Sequence, residues 1–131
     1  MTIFTSKVIV NKPLSEVYRF LADMNNHQQL MPENIKDWSS TTDEARFNIQ
    51  NMASLVIKIE SRSADSEIKI IAIEKPPFAL ELTWTLYGPD TTTEATFSIS
   101  ADLSMMMKML ASGPLQKLAD HETQRLTEIF S

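Results

Sequence analysis

The stretch "TSKVIVNKPLSEVYRFLADMNNHQQLMP" (residues 5–32) holds the succession of patterns that decides the fold. β-Branched residues up to Val10 are typical of a strand, and "NKP" ends it. Pro13 suits the first turn of a helix, where its missing N–H costs nothing, and Glu16 lies near the positive end of the helix dipole. The start of the chain therefore predicts a strand followed at once by a helix.

Apolar residues at helical spacing continue this helix and predict that it covers 13–24. They are Leu14, Val17, Leu21 and Met24, flanked by Tyr18 and Phe20. "NNHQQLMP" then predicts a second, short helix that ends at Pro32.

The middle of the chain has a β pattern. Apolar and polar residues alternate most regularly in the last two segments, as expected for an antiparallel sheet with one buried face. Short polar turns such as "SRSADS" and "GPDTTT" predict hairpin connections, whereas the paired prolines of "EKPPF" suit only a sheet edge or a bend. The predicted strands lie near 34–40, 45–50, 53–61, 67–74, 79–87 and 93–103.

The segment "GPLQKLADHETQRLTEIF" (residues 113–130) predicts a terminal amphipathic helix after a break at Gly113–Pro114. We expect its apolar stripe to lie on the inner face of the sheet. The stripe consists of Leu115, Leu118, Ala119, Glu122, Leu126, Ile129 and Phe130.

This order of elements resembles the START-like, helix-grip superfamily, also called SRPBCC, which includes birch-pollen allergen proteins and polyketide cyclase/dehydrase-like bacterial proteins. Residues 5–32 and 113–130 carry the resemblance, which covers essentially the whole chain. It implies an α+β domain over residues 1–131, in which a curved antiparallel seven-stranded sheet wraps around a long C-terminal helix, with two short helices after the first strand. It also implies a cavity for apolar ligands between sheet and helix, and no shared catalytic residue.

Composition excludes several kinds of function. The 131 residues include no cysteine, which excludes disulfides, thiolate metal sites and a cysteine nucleophile, and which fits a cytoplasmic protein. A net charge of −5 disfavours nucleic acids and anionic membrane surfaces as partners. The chain has no leader-like start and no run of 18 apolar residues, so we expect neither a signal peptide nor an integral membrane segment.

The methionine-rich stretch "DLSMMMKML" (residues 102–110) admits three interpretations. Ser104 is a candidate N-cap for a helical segment that leads to the break at Gly113–Pro114. Because consecutive helical positions differ by 100°, at least one of the adjacent methionines must face solvent, a partner or a pocket mouth. The run is gap-filling core, the mobile rim of a pocket that includes Met106 and Met109, or a protein-contact patch.

Other candidate ligand-binding residues are aromatic or apolar, and for each the alternative is ordinary core packing. Trp84 sits on the inward face of a predicted strand, where it is a core residue or a flat cavity wall. The sequence does not indicate on which face of the sheet Trp38 lies. The full candidate set is Trp38, Phe47, Leu82, Trp84, Phe97, Met106, Met109, Leu118 and Glu122.

Glu122 is the most unusual charged residue, because it falls on the apolar stripe of the last helix. A carboxyl group there must be paired, hydrated or protonated. It either lies at the margin of the stripe and reaches water, or acts as a polar anchor for a ligand head group inside the cavity.

The remaining polar residues do not predict catalysis. The resemblance implies that the short second helix with His27 lies near the cavity opening, but we expect His27 to be a solvated surface histidine. His121 points about 100° away from Glu122 on the same helix. Two isolated histidines form no metal site, and two glycines, Gly88 and Gly113, supply no phosphate-binding loop or dinucleotide fingerprint. The sequence therefore predicts no catalytic residue, no metal and no cofactor.

The functional prediction is binding or transport of a small hydrophobic, lipid-like ligand in a cavity between the sheet and the terminal helix. Two alternatives stay open. One is a polyketide cyclase/dehydratase-like enzyme that uses Glu122 or a histidine as acid or base. The other is a protein-interaction module without a ligand, and the oligomeric state, including a homodimer, is also open.

Overall fold

The computed structural model describes residues 1–50, 53–89 and 91–131. Strands predominate, and helical segments follow the first strand and end the chain. In this part of the chain the elements are β1 (Thr2–Val10), α1 (Leu14–Leu21), a 3₁₀ helix (Met24–Leu30), β2 (Ile35–Ser40), β3 (Glu44–Ile49), β4 (Ala53–Ser63), β5 (Glu67–Ile73), β6 (Leu80–Tyr87), β7 (Thr93–Ala101) and α2 (Met105–Ile129).

The described strands form one sheet in the order β1-β7-β6-β5-β4-β3-β2, and every neighbouring pair is antiparallel. Strands β2 to β7 follow one another as sequential neighbours, as the polar turns predicted. β1 pairs with β7 instead, so α1 and the 3₁₀ helix carry the chain from one edge of the sheet to the other. The sheet edges are therefore β1 and β2.

The long helix α2 packs on one side of the curled sheet, along β1 and β7. The hydroxyl groups of Ser6 and Thr123 are hydrogen-bonded at 2.7 Å, and Gln116 donates from Nε2 to the carbonyl of Thr5 at 3.2 Å. These contacts attach the helix to the β1 edge. The predicted α+β architecture, a curved seven-stranded antiparallel sheet around the terminal helix with short helices after β1, is confirmed.

The predicted break at Gly113–Pro114 is wrong, because α2 runs through both residues. A residue before proline normally avoids the helical region because its Cβ meets the proline ring, and Gly113 has no Cβ. Both residues are exposed, while Ala111 before them and Leu115 after them are buried. The core thus holds the helix on both sides of the proline.

The predicted helix over 13–24 is also shorter than expected. The α-helix ends at Leu21, and Met24 belongs to the 3₁₀ helix. The N–H of Met24 donates to the carbonyl of Thr42 at 2.9 Å, in the turn between β2 and β3. This long-range bond replaces the next helical bond, and sequence periodicity could not reveal it.

Candidate functional site

A groove of about 450 Å³ opens between α2 and the β2 side of the sheet. It exists because α2 packs along the opposite edge, on β1 and β7, and leaves the β2 side less covered. Its volume lies within the range of about 300–1,000 Å³ that small-molecule sites occupy. The lining residues are Pro32, Asn34, Ile35, Ile49, Pro114, Leu115, Lys117, Leu118 and His121.

A second, interior cavity lies deeper between the sheet and α2. Its volume is about 20 Å³, which holds about one water molecule. Ile49, Leu115 and Leu118 line both spaces, so the groove forms the outer side of this interior cavity. Most of the other lining residues are apolar: Met31, Phe47, Leu55, Ile57, Ile70, Phe78, Leu80, Leu82 and Phe97, together with His27 and Glu122.

Glu122 brings a carboxyl group to this apolar interior. Its side chain is 2% exposed, and among the described residues it takes part in no ion pair or hydrogen bond. Burial raises the pKa of the Glu122 carboxyl well above its usual range, which favours the neutral acid. The interpretation that Glu122 reaches water at the margin of the stripe is therefore wrong.

His27 lines the same interior cavity, and the expectation of a solvated histidine is wrong. Its Nε2 donates to the carbonyl of Leu21 at 2.7 Å, which fixes the proton on Nε2 and leaves Nδ1 as an acceptor in the neutral ring. Burial lowers the pKa of His27, against the opposing effects of the Leu21 hydrogen bond and the charge of Asp23. The signal for its burial is the spacing of Met24, His27 and Leu30, since residues three apart share one face of a 3₁₀ helix.

Comparison with solved structures finds the same architecture over nearly the whole chain. XoxI from Bacillus cereus matches with a TM-score of 0.78 at 12% identity, over 99% of this chain and 96% of that one. An uncharacterised protein from Bacillus thuringiensis matches with a TM-score of 0.75 at 11% identity, over 98% of each chain.

The Aha1 dimer from Colwellia psychrerythraea matches with a TM-score of 0.69 at 11% identity, over 99% of this chain and 96% of that one. This chain has the helix-grip fold. No protein-family model and no curated protein sequence matches it. At such low identities the structural similarity shows the fold alone.

The helix-grip arrangement brings five of the candidate ligand-binding residues together around the interior cavity. They are Phe47, Leu82, Phe97, Leu118 and Glu122. Among them, Leu118 also lines the groove. These five residues come from β3, β6, β7 and α2, which only the tertiary fold places side by side.

The two tryptophans lie next to the lining and outside it. Trp84 is fully buried and stacks on Phe97, with ring centroids 4.6 Å apart, and its Nε1 has no hydrogen-bond partner among the described residues. Trp38 stacks on Phe47 at 5.4 Å and donates from Nε1 to Ser40 Oγ at 2.9 Å. Both indoles therefore support phenylalanines that face the cavity.

Met106 and Met109 do not line either space. They are 73% and 87% exposed on the first turns of α2, while Met107 is half-buried. The expectation that at least one methionine faces away from the core is confirmed. The interpretation of this run as gap-filling core is wrong for Met105, Met106 and Met109.

Helix α2 contributes to the groove two polar residues that sequence reasoning did not select, Lys117 and His121. They lie on the helical face shared by Pro114 and Leu118, because residues three, four and seven apart are neighbours on a helix. This spacing was readable from the sequence. The sequence could not show that Asn34 and Ile35 lie across the groove from them.

Two negative observations apply to the described ranges 1–50, 53–89 and 91–131. No group of three or more histidine, aspartate or glutamate side chains is arranged there to hold a metal ion. No helix in these ranges is both long and apolar enough to cross a bilayer.

Proposed function

We propose that this protein binds a small, largely apolar molecule in the groove between α2 and the β2 side of the sheet. The observation that carries the proposal is a groove of about 450 Å³ that shares three apolar lining residues, Ile49, Leu115 and Leu118, with an apolar interior cavity. The ligand site was expected between the sheet and the helix. The ligand-sized volume lies at the open side of that interface, because side chains fill the interior except for about 20 Å³.

The walls of the groove support an apolar ligand. Ile35 and Leu118 are half-buried, and Leu115 is buried beneath them. A ligand that covers these side chains would remove apolar surface from water, at about 25 cal/mol per Å². Binding of this kind needs no catalytic group.

A groove-filling variant tests the proposal. Leu118→Trp should weaken binding of the neutral fluorescent probe N-phenyl-1-naphthylamine at least tenfold, because the indole occupies the space of the ligand. Fluorescence titration measures this affinity, and thermal unfolding confirms that the variant folds.

The matched control is Leu110→Trp, on the same helix but 65% exposed and outside the groove lining. It should bind the probe as the wild type does. Equal affinity in the Leu118 variant, or no uptake by the wild type, would contradict the proposal; the second outcome favours a protein-interaction module.

An enzyme is the second candidate, because His27 and Glu122 both line the interior cavity and both have shifted pKa values. Such a pair is typical of acid–base sites. Space for about one water admits no reacting carbon skeleton, however, so an enzyme requires the interior to open. A ligand-bound structure with an unchanged interior would remove this candidate.

A further inference from the structure

The charge of the groove is opposite to that of the chain. The sequence has 17 acidic and 12 basic residues, yet the described lining of the groove contains Lys117 and His121 and no carboxylate. Lys117 takes part in none of the ion pairs among the described residues. The groove is thus a locally cationic and apolar site on an acidic protein.

We propose that the ligand of this groove is an apolar organic acid, whose anionic head meets Lys117 and His121 and whose hydrocarbon body covers Ile35, Leu115 and Leu118. The inference rests on the proposed function and names the chemical class of its ligand.

The geometry separates the two ends of such a ligand. Lys117 and His121 are one helical turn apart, so one head group between them can contact both. Lys117 is exposed and His121 is half-buried, so the head group keeps contact with water. Leu115 is buried and lies on the side of the interior cavity, where the hydrocarbon end belongs.

The interior disfavours the reverse orientation. An anion pushed past Leu118 would lose its hydration in an apolar cavity, whose described lining includes the carboxyl group of Glu122 and no lysine or arginine. A cationic ligand would meet Lys117 with no carboxylate in the described lining to balance it. An organic anion with its head at the rim avoids both costs, and unlike a neutral ligand it also gains the attraction of Lys117.

Two probes that differ only in the anionic group test the inference. 8-Anilinonaphthalene-1-sulfonate carries a sulfonate, and N-phenyl-1-naphthylamine is the same molecule without it. Lys117→Gln should weaken sulfonate binding about three- to fivefold, as expected for a solvent-exposed charge pair, and change binding of the neutral probe less than twofold. Added salt should weaken binding of the sulfonate probe and leave binding of the neutral probe unchanged.

Lys108→Gln is the matched control, because this lysine is exposed on the same helix and lies outside the groove lining. It should leave the affinities of both probes unchanged, and Lys117→Arg should keep sulfonate binding. Leu118→Trp should weaken both probes, which shows that they occupy the groove.

The outcomes distinguish the two proposals. If the neutral probe binds in the groove but Lys117→Gln changes neither affinity, or both equally, the organic-acid inference fails and the proposed function stands. If neither probe binds, or if Leu118→Trp has no effect on either, the proposed function fails and the inference fails with it.

Discussion

Glu122 links the buried interior to pH. The unfolded chain loses this proton near pH 4.5, whereas burial raises the pKa of the folded-state carboxyl well above that value. Above pH 4.5 the unfolded state therefore binds fewer protons than the folded state, and the free energy of unfolding falls as pH rises. The loss continues up to the folded-state pKa, at about 1.4 kcal/mol per pH unit.

Glu122→Gln removes this titration and keeps the size of the side chain. We expect the variant to have a higher free energy of unfolding than the wild type at pH 7. At pH 4 this difference should be smaller or absent. Chemical denaturation at both pH values measures the difference. A wild type whose stability relative to the variant does not fall between pH 4 and pH 7 would show that the carboxyl is hydrated or paired in the folded state.

The sequence identified Glu122 by its place on the apolar stripe, but it could not show whether its carboxyl group reaches water or is buried. Burial of one carboxyl depends on what packs above it, and here that includes residues from β3 to β7. His27 was predicted wrongly for a related reason. Its burial follows from a 3₁₀ spacing, whereas the prediction rested on the general preference of histidine for the surface.

At the scale of elements, α2 shows how one small residue keeps a long helix continuous. Pro114 lacks the N–H that would reach the carbonyl of Leu110, and Leu110 is itself an exposed residue. Gly113 lets the chain stay helical before the proline. Gly113 and Pro114 predicted a break, but together they permit one continuous helix, Met105–Ile129. This helix joins the exposed first turns of α2 to the part that packs on the core.

A double-mutant cycle tests this coupling. Pro114→Ala should stabilise the protein by about 1–3 kcal/mol, because it restores a helical hydrogen bond and removes a ring clash. Gly113→Ala should raise the free energy of unfolding by about 1 kcal/mol only in the Pro114→Ala background, because the Cβ of an alanine before proline meets the proline ring. Denaturant unfolding of the four proteins gives the coupling energy. Equal gains from Gly113→Ala in both backgrounds would show that the glycine is not needed.

Strands were easier to predict than helix ends. The alternation in β6 and β7 depends only on which face is buried, so it appears directly in the sequence. The end of α1 depends on the bond from Met24 to Thr42, 18 positions along the chain. Likewise, the bend after β5 places Glu74 and Lys75 at φ values of 56° and 55°, a left-handed conformation that their residue types do not indicate.

At the scale of the whole molecule, the order of elements was sufficient to predict the fold, whereas the position of the free volume was not. The helix lies along β1 and β7, and the sheet curls so that β2 faces it across the groove. Whether such an interface holds a cavity depends on ångström-scale packing of side chains such as Phe97 and Leu118. Sequence patterns give no such distances.

Isoleucine methyl groups can report where a ligand sits. Ile35 lines only the groove, while Ile57 and Ile70 line only the interior cavity. In methyl NMR spectra, N-phenyl-1-naphthylamine should shift the methyl resonances of Ile35 most. Those of the exposed Ile9 of β1 should not change and serve as the internal control. Larger shifts at Ile57 and Ile70 would mean that the interior opens to the probe, which would contradict groove binding and keep the enzyme candidate open.

The exposed methionines at the start of α2 have a chemical consequence. Met105, Met106 and Met109 present thioether sulfur to the surroundings, whereas Met24 is shielded in the core. Oxidants would convert the outer three to sulfoxides, which are polar and accept hydrogen bonds. This end of α2 would then become hydrophilic, so peroxide could change the contacts that it makes while Met24 stays unreacted in the core.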